Sequence, residues 1–83
     1  MKLPRRLKLT YRSLGREGAH GLAISPDVVV VDPKHPSAKE ALDTKIHEAL
    51  HLLIPEASEM MVRAYASRLT DFLWKDGYRR VEF

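Results

Sequence analysis

Leu7, Leu9 and Tyr11 alternate with Lys8, Thr10 and Arg12, a period of two that predicts a strand over 6–13 with one buried face. Gly15, Gly18 and Gly21 make residues 14–21 a flexible connection. A second short strand is expected over 22–25, and Ser25-Pro26-Asp27 has the composition of a turn. Residues 28–32 are a β-branched run ending in Asp32, so they should pair with 22–25 as a hairpin. The expected result is a small, three-stranded antiparallel sheet.

The period then becomes helical. Pro33 and Pro36 prevent the last strand from continuing, and Ser37 with Glu40 has the spacing of a capping box. Leu42, Ile46, Ala49, Leu50 and Leu53 fall on one buried stripe, which predicts a helix over 38–53 that Pro55 stops. Ser58 can cap a second helix with the apolar stripe Met61, Val62, Tyr65, Leu69, Phe72 and Leu73, ending at Gly77. A short link makes the two helices an antiparallel hairpin packed on the sheet, giving a single α+β domain over 1–83. Tyr78, Val81 and Phe83 alternate with polar residues, which predicts a last extended segment that packs on the sheet edge rather than covering a site.

The first helix also carries chemistry, because His47-Glu48-Ala49-Leu50-His51 is a His-Glu-x-x-His sequence. Residues four apart share a helix face, so the two imidazoles can reach one metal ion while the intervening glutamate serves as a base. His47 and His51 lie off the apolar stripe, so they are not core residues; the choice is between solvated histidines and a metal pair facing a cleft. The chain has no cysteine, so His, Asp and Glu are the available zinc ligands.

An antiparallel hairpin places the end of the first helix beside the start of the second, and Glu56 and Glu59 are both at that junction. Glu59 is the preferred third ligand, because the first turn of a helix directs its side chain whereas Glu56 sits in the loop; a carboxylate favoured by the helix dipole is the alternative role. Asp71 is twelve residues further on, about 18 Å along a helix, and is too far. His20 and His35 are further candidates that spacing alone does not place. Asp43, one turn before His47, suits either an outer-shell partner or a surface ion pair. Tyr65 and Tyr78 could donate to an oxyanion, with packing preferred for Tyr65.

The net charge of +3 comes largely from Lys2, Arg5, Arg6, Lys8 and Arg12 at one end and Lys75, Arg79 and Arg80 at the other. Such clusters can attract nucleic acid, but ordinary solubilising charge is preferred, because no interleaving of aromatic and basic residues accompanies them. No apolar run approaches the roughly 20 residues that span a bilayer, and no h-region follows the basic start, so the expected location is the cytoplasm and no membrane partner is expected.

At residues 47–51 the sequence resembles the zincin metallopeptidases. Residues 55–59 and 72–79 resemble small bacterial and phage His-Glu-x-x-His proteins, similar in plan to the minimal gluzincins and to SprT-like and ImmA/IrrE-like metallopeptidases. The resemblance covers about the last half of the chain and implies zinc on His47 and His51, Glu48 as general base, and a downstream glutamate, mapped to Glu59, as third ligand. Ile54 stands where the extended metzincin motif has glycine, and the chain lacks the second subdomain that walls the cleft in larger relatives. The expectation is therefore a zinc-dependent peptidase acting on a peptide or protein. The alternative is a non-catalytic or self-inhibited binding or regulatory module, in contact with nucleic acid through its basic ends.

Overall fold

Four consecutive valines form the centre of the sheet. The computed structural model describes residues 3–80, with strands β1 (Lys8–Tyr11), β2 (Gly21–Ile24) and β3 (Val28–Val31), then helices α1 (Ala38–Leu53) and α2 (Glu59–Lys75). Val29, Val30 and Val31 are all buried. Successive strand side chains point to opposite faces, so β3 is covered on both, as its unbroken apolar run requires. Each buried valine contributes on the order of 1.5–3 kcal/mol relative to exposure.

The sheet order is β1-β3-β2, with β2 antiparallel to β3 and β1 parallel to it. This corrects the expected antiparallel sheet: it is mixed. The hairpin around Ser25-Pro26-Asp27 occupies one edge of β3, with Ile24 opposite Val28. β1 takes the other edge in the same direction, with Lys8 opposite Val28 and Tyr11 opposite Val31. The α1 backbone approaches β2 and β3 but not β1. Leu9 and Tyr11 consequently remain exposed, so the predicted buried face of the first strand is not formed.

The connection after β1 is less loose than its glycines suggest. Leu14 is fully buried, and its N–H donates to Asp32 Oδ2 at 2.9 Å. Lys34 N–H donates to Asp32 Oδ1 at 2.9 Å. These two backbone donors, the Leu14 one first, hold the buried Asp32 carboxyl below its ordinary range. A single 3-10 turn over Gly15–Glu17 follows, closed by Gly18 in the left-handed region at φ 65°.

Both helix starts follow from their caps. Ser37 Oγ accepts from Glu40 N–H at 3.1 Å, and Ser58 Oγ accepts from Met61 N–H at 3.1 Å. Each such cap contributes about 1 kcal/mol. Past the end of α2, Gly77 has φ 89°, with Gly77 N–H bonded to Trp74 O and Tyr78 N–H to Leu73 O. This pairing satisfies two of the carbonyls a helix end leaves without partners.

α1 lies between the sheet and α2, whereas α2, among the described helices and strands, approaches α1 and no strand. The hairpin thus packs on the sheet through one helix only. α1 nonetheless has no fully buried residue: Leu42, Ile46, Ala49, Leu50 and Leu53 of its predicted buried stripe are all partly exposed. The predicted stripe of α2 is also displaced: Val62, Ala66 and Thr70 are buried, while Met61, Tyr65, Leu69 and Phe72 stay exposed. Residues 78–80 form no strand, and 81–83 of the predicted last segment lie outside the described residues. No helix among the described residues is long and apolar enough to cross a membrane.

Candidate metal centre

The Ser58 cap makes Glu59 the first residue of α2, directly across the hairpin junction from the last turns of α1. His47 Nε2 is 2.9 Å from Glu59 Oε1, and His51 Nε2 is 2.8 Å from Glu59 Oε2. The two Nε2 atoms are 3.1 Å apart, with their rings edge to face. Both imidazoles are largely buried, at 18% and 28% side-chain exposure, while Glu59 closes the group from the solvent side at 54%.

Three polar groups in such a triangle have too few protons. A neutral imidazole carries one N–H, so with Glu59 ionised the rings can donate to the carboxylate or to each other, but no tautomer gives all three contacts a hydrogen. A cation at the centre would accept a lone pair from each. Tetrahedral zinc, with bonds of about 2.0–2.2 Å, holds its donors about 3.3 Å apart, within a few tenths of an ångström to half an ångström of the spacing here. His47, His51 and Glu59 can therefore hold a metal ion as they stand.

The electrostatics agree with that grouping. Desolvation works to raise Glu59, but His47 and His51, helped by Arg63 and the hydrogen bond from His47, outweigh it and hold the carboxyl below its ordinary range. Glu48 goes the other way: burial raises it above the usual glutamate range despite the opposing pull of the two histidines. Two carboxylates within one site thus differ in proton affinity, one suited to being a ligand and the other to taking a proton.

Glu48 owes its setting partly to Gly21. A Cβ at that residue would lie 2.6 Å from Thr44 Cγ2 and 3.1 Å from Glu48 Cγ, so β2 and α1 meet closely only because the side chain is absent. Sequence reasoning placed Gly21 in a flexible connection and missed this role. Its signal was a glycine opening an apolar strand. Arg63, 3.6 Å from Glu59 Oε1, was also missed, although its four-residue spacing from Glu59 was a readable sign.

Other candidates lie elsewhere. Glu56 is exposed in the loop and is not part of the group. His20 and His35 lie against each other, and His35 Nε2 is 3.1 Å from Thr44 Oγ1. Asp43 accepts from Thr70 Oγ1 at 3.2 Å, linking the two helices rather than orienting His47. Asp71 pairs with Lys39 and Lys75. Tyr65 is exposed, and Tyr78 lines a different cavity.

Beside the histidines, Glu48 and His51 line an open cleft with Leu22, Ala23 and Pro55, and Leu3 to Arg5 form its other side. β2 pairs only with β3 among the described residues, so its outer edge borders this cleft. No family model, curated protein or solved structure matches the chain.

Proposed function

We propose that the chain is a cytoplasmic, zinc-dependent peptidase that hydrolyses a peptide bond in the cleft between β2 and α1. The observation that carries this reading is the short triangle of His47, His51 and Glu59 with the half-buried Glu48 beside it. His47, His51 and Glu59 hold the metal. Zinc, when bound, supplies a Lewis acid that polarises a carbonyl and makes water acidic enough to lose a proton near pH 7.

The chain's residues do the rest. Glu48 takes the proton from the attacking water as its oxygen bonds to the scissile carbonyl carbon. It then delivers that proton to the amine nitrogen as the carbon–nitrogen bond breaks, and the second proton of the water passes from the new carboxylic acid to the amine, leaving a carboxylate and an ammonium group. The outer edge of β2, unpaired among the described residues, offers backbone groups that an extended substrate can pair with, and the apolar Leu22, Leu52 and Pro55 receive its side chains.

Elemental analysis of untagged protein, together with cleavage of a peptide library, tests the reading. Wild type should carry about one zinc per chain and cleave; Glu48→Ala should keep the metal and lose cleavage; His47→Ala should lose both. Full zinc occupancy in His47→Ala, or undiminished cleavage in Glu48→Ala, would overturn it.

A further inference from the structure

Glu48 has a neighbour on its own helix that nothing above has used. Thr44 is one turn before it on α1, so the two side chains project from the same face. Both meet β2 at Gly21, where a Cβ would lie 2.6 Å from Thr44 Cγ2, 3.1 Å from Glu48 Cγ and 3.3 Å from Val30 O. The threonine methyl and the glutamate stem thus share one small space against strand backbone. Where the methyl stands decides how much of that space the Glu48 stem can use.

A helix does not by itself fix that methyl. Threonine divides between two χ1 rotamers in a helix, and its methyl stands in a different place in each. Here the hydroxyl is engaged, with Thr44 Oγ1 3.1 Å from His35 Nε2. Methyl and hydroxyl share one carbon, so a rotation that moves the methyl off Gly21 also takes the hydroxyl from His35. His35 is itself held in the connection between β3 and α1. Pro36 restricts its backbone to the extended region, Lys34 N–H anchors the connection to Asp32 Oδ1 at 2.9 Å, and its ring centre is 5.2 Å from that of His20.

We infer that Thr44 is a positioning residue for Glu48: His35 fixes the Thr44 rotamer, and the Thr44 methyl then holds the Glu48 side chain in one conformation against β2. Neither Thr44 nor His35 touches the reacting atoms; both act through Glu48. The inference rests on the reading of Glu48 as the base. A hydrogen bond that merely tied the connection to α1 would affect stability and leave the Glu48 rotamer as it is.

Side-chain couplings measured by NMR on the full-length chain read both rotamers without any need for cleavage. In wild type, the Thr44 methyl and the Glu48 β-protons should each show the couplings of a single χ1 rotamer. Thr44→Ser keeps the hydroxyl and removes the methyl, so Glu48 should average over rotamers; His35→Ala should release Thr44 and, through it, Glu48. Valine in a helix has one strongly preferred rotamer, so Thr44→Val should keep Glu48 fixed even when His35→Ala is added. Cleavage should follow the couplings: kcat about tenfold lower in Thr44→Ser, a part of the roughly 100- to 10,000-fold that a placed base contributes, with KM and zinc content unchanged. Thr44→Val, the conservative variant, should largely restore kcat. Averaged Glu48 couplings in wild type, fixed ones in Thr44→Ser, or an equal fall of kcat in Thr44→Ser and Thr44→Val would overturn the inference. Absence of cleavage by a wild-type chain whose Glu48 is fixed, and averages in Thr44→Ser, would count against the peptidase reading alone.

Discussion

Two charged clusters bridge the same pair of helices, one at each end of the hairpin, and they are balanced differently. Lys39, Asp71 and Lys75 form the first: Asp71 Oδ1 is 3.1 Å from Lys39 Nζ and its Oδ2 is 3.0 Å from Lys75 Nζ. Each carboxylate oxygen has its own cationic donor, and water reaches all three side chains. His47, His51 and Glu59 form the second, at similar distances, with lone pairs outnumbering the protons available to bridge them. The difference shows that proximity of ionisable groups does not mark a site. An incomplete proton count is the ground for proposing a metal at the second cluster, because an added cation would satisfy every contact at once.

The sharpest way to break this comparison is to remove a donor from the unbalanced cluster. Glu59→Gln should weaken zinc affinity beyond the about 10–100-fold range that outer-shell partners control, measured by chelator competition. The fold should change little, since an exposed first-turn carboxylate contributes only about 0.3–1 kcal/mol through the helix dipole. Normal zinc affinity in this variant would return the cluster to the status of an ion pair and remove Glu59 as a ligand.

A smaller effect separates the base from the ligands. Gly21→Ala forces a methyl group against Thr44 and Glu48, and Thr44 cannot turn away freely because its hydroxyl meets His35. Overpacking of this kind costs about 1–3 kcal/mol, so the denaturation midpoint should fall. Peptide cleavage should fall while zinc is retained, since none of the three ligands is touched. Loss of zinc with cleavage would mean that β2 positions the ligands as well as Glu48.

The smallest effect belongs to the balanced cluster. Hydrogen bonds from Lys75 and then Lys39 hold the Asp71 carboxyl below its ordinary range. A depressed folded-state value stabilises the fold above the unfolded value, about pH 4, and that contribution is lost as pH falls through the folded one. Asp71→Asn should therefore be slightly less stable than wild type at neutral pH, with the difference closing under acid, and zinc content should not change. A difference that persists undiminished in acid would show that the lysine pairing is not its origin.

The helical half was legible because its signals are local. The starts of α1 and α2, the Gly77 stop and the grouping of His47 with His51 all depend on residues within a turn or two of one another. Glu59 followed from one further step, the short link that returns α2 antiparallel to α1. The sheet was legible as strands and as the antiparallel hairpin of β2 with β3, but not in the placing of β1. Alternation in Leu7 to Arg12 says that the chain is extended, but not which edge it joins or in which direction, and β1 runs parallel to β3 on the side that α1 leaves uncovered.

What tertiary structure alone decided are the contacts between distant segments. Leu14 became core because Asp32, eighteen residues on, took its N–H. Gly21 became a support for Glu48 because α1 settled on β2, and Met61, Tyr65, Leu69 and Phe72 stayed exposed because α2 found only one neighbour among the described helices and strands. A periodic pattern records which side of an element is apolar; which surface meets that side, or whether any does, depends on packing among segments that the pattern does not relate.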